Sequence, residues 1–465
     1  MRTTADQLTD ILDHWQSGTG PLYQQLCDAI VSLAEAGSLE HGAVLPSERA
    51  LATTMHLSRN TVTAAYQQLR DQGWLEVKPG AAPRLGSRSR GAEAMSAQDR
   101  FSRILPGQGV PLVGLNSACP GPAPAVVDVM QDPANYFQGN ASGSGYAALG
   151  DRDLVNAVVE HLRGQGIPAE PDEVVITSGG QQAVWLAVTA VADASCPVAM
   201  ESITYPGVFD AVTAAGSRPL ALPMTSAGLD VKQAARLLKA ARSDVAYLTT
   251  FNNPTGRAMS DEDAEHMVAA ARDTSTVLID DRVLAELSLG DTRPKPLASF
   301  PDAGTIITIG GLSKVFWGGL RLGWLHTNGT LAAQLRHRRA AMDLGGPAVI
   351  QRLGTLLLTE HYDSTLKWRL NQLQESLAAT REALVEAGVE WEFDEPDGGP
   401  SLWMKIPGGN GDRFAERADA AGAPVAPGSA FEVMPGLAAD RFRLPFYLDA
   451  DQMRLGVKIL ADRAA

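Results

Sequence analysis

The stretch Gly310-Gly311-Leu312-Ser313-Lys314-Val315-Phe316-Trp317-Gly318-Gly319-Leu320-Arg321 follows a strand-like run, Thr305-Ile306-Ile307-Thr308-Ile309, and decides the fold of most of the chain. A single Lys stands among small and apolar residues. Burial penalises its charged form, so its amine loses a proton more easily and can attack a carbonyl. An imine-forming Lys needs those surroundings. Arg321, further along, presents a planar fork suited to a pair of phosphate oxygens. Taken alone, the pair also reads as a solvated loop Lys beside a structural Arg, so the neighbouring stretches must decide.

Upstream, the apolar strand Val174-Val175-Ile176 runs into Thr177-Ser178-Gly179-Gly180-Gln181, which opens a helix whose amides point at an anion. Tyr205-Pro206-Gly207 offers an aromatic face. Asn252-Asn253-Pro254-Thr255-Gly256 is a turn after the strand 245–250, and Val277-Leu278-Ile279-Asp280-Asp281 ends a buried strand in carboxylates. Phosphate cradle, ring stack, amide donor, carboxylate and Lys come in the order in which fold-type I pyridoxal-phosphate enzymes have them. Over residues 112–465 the chain resembles the aminotransferase superfamily.

That resemblance implies an α/β domain with a mostly parallel sheet and flanking helices. It has a large part over about 112–350 and a smaller α+β part over about 351–465. It also implies pyridoxal 5′-phosphate as cofactor. Lys314 is then the catalytic, imine-forming residue, and Asp280 keeps the pyridine nitrogen protonated so that the ring can draw electrons. Asn253 donates to the ring hydroxyl, Tyr205 stacks on the ring, and Gly179, Gly180, Gln181, Ser313 and Arg321 hold the phosphate. Arg443, in Arg441-Phe442-Arg443, matches the family's carboxylate-binding Arg, with Arg441 as its rival. Two departures stand out. Arg282 occupies the position two past Asp280 where the family's regulators have Tyr, and Gly311 replaces a phosphate-binding Ser. If its guanidinium reaches the ring oxygen, Arg282 adds positive charge beside the imine and tunes the cofactor away from fast transamination; the alternative is that Arg282 points elsewhere and the ring oxygen has only Asn253.

Ahead of this domain, apolar periodicity predicts helices over residues 4–16, 22–36, from Ser47 and from Ser58. Ser47 and Ser58 are N-caps, and Gly37 is a stop. Two short helices with a tight turn, the second polar and basic in its first turn, make a helix-turn-helix. Gly73 to Lys78, the Pro79-Gly80 turn and Arg84-Leu85 make a wing. Together with Pro21-Leu22-Tyr23 and Leu45-Pro46-Ser47-Glu48-Arg49, residues 18–86 resemble the GntR winged-helix family. The resemblance turns Arg49, Ser58, Arg59, Asn60, Thr61, Lys78, Gly80 and Arg84 toward double-stranded DNA. The domains are thus 1–85 for DNA, a flexible linker at 86–111 and an effector domain from 112.

Net charge is −14, which argues against nucleic acid, yet residues 58–90 carry six basic against two acidic side chains. The three cysteines, Cys27, Cys119 and Cys196, are scattered without disulfide or metal spacing, so no metal is expected and the thiols read as reduced. No long apolar run and no leader pattern are present, so a cytoplasmic protein off the membrane is expected. A winged helix joined to an aminotransferase-like domain resembles the MocR subgroup of GntR regulators. The implied function is a homodimeric transcription regulator that senses a small amine, amino acid or B6 vitamer through pyridoxal phosphate. The alternative is an active aminotransferase with an accessory winged helix.

Overall fold

The computed structural model describes residues 5–12, 15, 21–35, 43–71, 74–76, 83–85, 97–105, 111–136, 144–290 and 293–464. It forms two compact units, Met1–Ser96 and Ala97–Ala465.

The first unit contains α1 (Ala5–Ile11), α2 (Leu22–Glu35), α3 (Glu48–Thr54), α4 (Arg59–Asp71), β1 (Leu75–Glu76) and β2 (Arg84–Leu85). α1 ends earlier than residue 16, and the Pro79-Gly80 turn lies outside the described residues. Apolar residues at helical spacing, Leu26 and Ile30 on α2 and Val62, Tyr66 and Leu69 on α4, bury against Leu8 and Leu51. Each such side chain is worth about 1.5–3 kcal/mol on burial. Ser47 caps α3 by accepting from the Ala50 amide at 3.2 Å. Ser58 accepts from the Thr61 amide at 3.1 Å, which starts α4 where the sequence places it. The Tyr66 hydroxyl donates to the Pro46 carbonyl at 2.9 Å, tying α4 to the entry of α3. β1 and β2 pair antiparallel through Leu75↔Leu85 and Glu76↔Arg84, the wing.

The second unit begins inside the expected linker. α5 (Ala97–Ile104) is ordered and anchored: Arg100 donates to the Glu432 carbonyl at 2.9 Å and lies 4.4 Å over the Phe209 ring. The helices α6 (Pro124–Gln131), α7 (Arg152–Gly164), α8 (Gly180–Val191), α9 (Gly207–Ala214), α10 (Val231–Ala241), α11 (Asp261–Thr274), α12 (Gly329–Asp343), α13 (Ala348–Glu360), α14 (Tyr362–Ala387), α15 (Gly411–Ala420) and α16 (Ala450–Ile459) surround two main sheets. The strands are β3 (Val174–Thr177), β4 (Val198–Glu201), β5 (Pro219–Leu222), a hairpin of β6 (Met224–Thr225) and β7 (Gly228–Leu229), β8 (Val245–Thr249), β9 (Val277–Asp281), β10 (Ile306–Gly311), β11 (Gly323–His326), β12 (Ser401–Lys405), β13 (Ala426–Pro427) and β14 (Arg441–Pro445).

The large sheet has the order β3-β11-β10-β9-β8-β4-β5, with only β11 antiparallel to its neighbours. Buried on both faces, its strands read as continuous apolar runs such as Val-Val-Ile and Val-Leu-Ile. The small sheet, β12-β14-β13, buries Leu402, Phe442 and Leu444 against α14 and α16. Val113 and Leu115 belong to this same core, and Leu115 bridges to Val425. The small part is therefore built from both ends of the unit, not from residue 351 alone, because the segment after Pro111 pairs with the edge of the small sheet. Among the described residues no helix is long and apolar enough to cross a membrane.

Candidate functional site

The carboxyl ends of β3, β8, β9 and β10 converge on Lys314. Its loop is held from outside the site: Arg369 of α14, buried to 1% exposure, donates to the carbonyls of Val315 at 3.1 Å, Phe316 at 3.2 Å and Gly121 at 3.0 Å. Lys314 Nζ donates to the Ala118 carbonyl at 2.8 Å. Burial, together with the nearby Arg443 and Arg321, holds the Lys314 amine below its ordinary pKa against the opposing pull of Cys119 and Asp281.

Gly179, at the N-cap of α8, has φ 92°, and no side chain caps the helix. A Cβ at Gly179 would come within 2.9 Å of Arg321 Nη2, which itself donates to the Ser178 carbonyl at 2.7 Å. Helix amides, the guanidinium and the absence of side chains at Gly179 and Gly180 leave a donor-lined cradle for an anion. Gly311 is part of it, its added Cβ lying 3.9 Å from the Gly180 amide. Gln181 contributes differently from expectation. Its side chain accepts from the Tyr205 hydroxyl at 2.9 Å and donates to Gly207 at 2.9 Å, so it positions the ring rather than offering a free amide to phosphate. Ser313 sits half-buried next to Lys314.

Arg443 is the member of its pair that enters the site. It is 2% exposed and donates to Asn253 Oδ1 at 3.1 Å and to the Asn116 carbonyl at 2.7 Å, with its Nε left without a partner. Burial lowers its pKa to about 10, still well above neutrality, so it stays charged. Arg441, two residues away and half-buried, lines a different cleft with Trp403 and Arg257. Asn253 lies in the site through its bond to Arg443, while Asn252 is a buried structural amide donating to Ile203 at 2.9 Å. The Asn253-Pro254 bond is trans.

Two sequence expectations are corrected by the register of β9. Thr249 pairs with Asp281 and Tyr247 with Ile279, which puts Asp281 on the face that holds α8 and Lys314. Asp280, one residue earlier, points to the opposite face because strand side chains alternate. Its carboxylate accepts from the Leu297 amide at 3.0 Å and the Thr250 hydroxyl at 3.4 Å, and lies 3.9 Å from Arg282. Asp281 accepts from the Tyr247 hydroxyl at 2.5 Å and the Val283 amide at 3.1 Å and shares the field of Lys314 and Tyr205. Burial raises both carboxyls above the usual carboxylate range. Arg282 also leaves the site. It reaches Thr250 Oγ1 at 3.3 Å and the Pro294 carbonyl at 3.4 Å and lines a small internal cavity with His161 and Trp324.

One residue near the site reads in the sequence only as a scattered, reduced thiol. Cys119, on the segment gripped by Lys314 and Arg443, has an exposed thiol whose pKa is lowered chiefly by Lys314. The signal available was only its position after Ser117-Ala118, which by itself says nothing of a site.

In the first unit, Arg49, Ser58, Arg59, Asn60 and Arg84 are exposed and Thr61 half-buried. Lys78 and Gly80 lie outside the described residues. Thr63, also exposed, donates to Glu48 at 2.8 Å, and Arg70 pairs with the same carboxylate at 3.0 Å, fixing α3 against α4.

The family model for aminotransferase class I and II matches residues 110–460, and that for bacterial regulatory proteins of the gntR family matches residues 22–84. The chain is 27% identical over 445 residues to the HTH-type transcriptional regulator TauR of Rhodobacter capsulatus, covering 89% of this chain and 90% of that one. It is 25% identical over 419 residues to the HTH-type transcriptional regulator YisV of Bacillus subtilis, covering 84% and 86%. Among solved structures it is similar to LysN, an alpha-aminoadipate aminotransferase from Thermus thermophilus complexed with N-(5'-phosphopyridoxyl)-L-leucine. That likeness has a TM-score of 0.68, with 26% identity over 78% of this chain and 95% of that one.

Proposed function

Since the chain belongs to the aminotransferase class I and II family and joins that fold to a gntR-type winged helix, the MocR architecture, we propose that it regulates transcription in response to a small amine, amino acid or B6 vitamer. It is a DNA-binding regulator, and its cofactor is pyridoxal 5′-phosphate. The observation that carries the sensing reading is a cofactor cradle and a carboxylate-binding Arg443 in the same chain as an exposed, polar first turn of α4.

The residues present fit the cofactor. A Cβ at Gly179 would fill the cradle, and Arg443 Nε still lacks an acceptor. When bound, pyridoxal phosphate supplies a carbonyl for an amine and a ring that draws electron density. Around it, Arg321 and the first amides of α8 hold the phosphate, and Tyr205, steadied by Gln181, covers the ring. Asp281 holds a proton at the pyridine nitrogen, a role better met on its face of β9 than by Asp280. Asn253, set by Arg443, meets the ring oxygen. Lys314, less readily protonated than an exposed Lys, supplies the free amine. Arg443 takes the carboxylate of an amino-acid ligand as a charge-assisted pair.

A ligand that favours one arrangement of the effector domain shifts DNA affinity only by its differential binding to the two arrangements. Two copies, each with a wing, would contact two half-sites. Mobility-shift titrations on a selected DNA site, with cofactor and a panel of amines and amino acids, test the reading. One ligand should change affinity while amino-donor turnover stays slow. Rapid turnover with no ligand effect on DNA would favour the aminotransferase alternative. Light scattering should report a dimer at micromolar concentration.

A further inference from the structure

At the opposite, amino-terminal edge of the large sheet, β11 ends in His326, directly across from Thr308 on one side and Val174 on the other. His326 is 5% exposed, yet neither ring nitrogen makes a hydrogen bond of normal geometry. Its nearest polar neighbours are the Pro168 backbone and Glu173, whose Oε2 lies 3.7 Å from Nε2, too far for a direct bond. Both His326 and Glu173 line a cleft of about 380 Å³, within the range of small-molecule sites. Asn328, at the N-cap of α12, also lines it and makes no capping bond with its side chain. Phe300 and Ile306 supply an apolar wall.

The charge of this cleft is one-sided. Glu170 at the rim is paired with Arg163 at 2.9 Å, whereas Glu173 accepts from the Glu170 amide at 3.0 Å and, beside His326, has no Lys or Arg partner among the described residues. Burial outweighs Glu173 and keeps the His326 pKa below its ordinary value, so the imidazole is a neutral acceptor rather than a counter-ion. A buried polar group without a partner is met by an occupant or by water. An occupant that answers these features has an N–H cation for Glu173, set beside the neutral imidazole, and an apolar body for Phe300.

We propose that this cleft is a second ligand site that binds a small protonated amine with an aromatic or branched body, separate from the Lys314 site. β3 and β11 connect the two places. They run from Glu173 and His326 to Ser178 and Gly323, the latter packed so closely on Gly179 that an added Cβ would lie 2.9 Å from its carbonyl carbon.

The experiment uses the cofactor-loaded full chain and N,N-dimethylbenzylamine, a tertiary amine that is protonated at neutral pH and cannot form an imine. Saturation-transfer NMR and calorimetric titration should show saturable binding with one site per chain. Glu173→Gln should weaken it about tenfold, the loss of one charge-assisted hydrogen bond. Lys314→Ala should leave it unchanged. Phe300→Leu, chosen because it conserves the core, should weaken binding even if Glu173→Gln proves unstable in a melting control. Absence of saturable binding at millimolar probe would overturn the proposal and leave a water-filled cleft. Binding indifferent to both Glu173→Gln and Phe300→Leu, or abolished by Lys314→Ala, would also overturn it.

Discussion

Replacing Asp281 by Asn removes one negative charge from the face of β9 that carries the site, with almost no change of shape. The amide oxygen can keep the bond from the Val283 amide, now 3.1 Å, and the new NH₂ can donate to the Tyr247 hydroxyl oxygen, now 2.5 Å away, so the fold should survive. What is lost is the charge-assisted bond to a protonated ring nitrogen, worth about 1.5–3 kcal/mol, or about 10- to 100-fold in affinity. Asp280→Asn is the internal control. That carboxylate is engaged by Leu297, Thr250 and Arg282 on the other face, so its loss leaves the buried Arg282 without its counter-charge and should cost stability while changing cofactor affinity far less than Asp281→Asn does. The assay is equilibrium dialysis of pyridoxal phosphate against both variants, with the visible absorption band as a second readout and melting as a fold control. Equal losses of affinity, or a larger loss for Asp280→Asn, would refute the facing inferred from the register of β9.

Arg59→Ala, at an exposed position in the first turn of α4, should weaken specific DNA binding by about 1–3 kcal/mol if it reads a base edge, measured by mobility shift. Gly179→Ala forces a Cβ onto a backbone at φ 92° and against Arg321, so it should cost about 1–3 kcal/mol of stability in urea and release cofactor on gel filtration. Glu201 is buried, and its carboxyl is pushed from 4.5 up to about 7. The folded state therefore binds that proton more tightly than the unfolded chain does. Its stabilising contribution is fully present below about pH 4.5 and is lost as pH rises through about 7, amounting to about 3 kcal/mol. Glu201→Gln should flatten this part of the stability–pH curve, and an unchanged slope in urea titrations from pH 5 to 8 would count against the burial argument.

Much of the architecture was legible in the sequence because it rests on short-range rules. Ser47 and Ser58 cap helices wherever the following amides need an acceptor, and apolar spacing on α2 and α4 builds one core whatever surrounds it. The stretches holding Gly179, Tyr205, Asn253, Asp280-Asp281 and Lys314 were likewise readable as strand ends and the loops that follow them. Tertiary structure decided the rest. Adjacent carboxylates Asp280 and Asp281 are chemically alike, and only pairing with β8 determines which of them faces α8. Arg282 follows from the same alternation, turned to Thr250 and Pro294 although its place in the motif pointed to the ring. Arg443, and not Arg441, reaches Asn253 and Asn116, a contact between residues far apart in the chain. Cys119 and the cleft at His326 depend wholly on segments brought together from distant places, and no local pattern marks either.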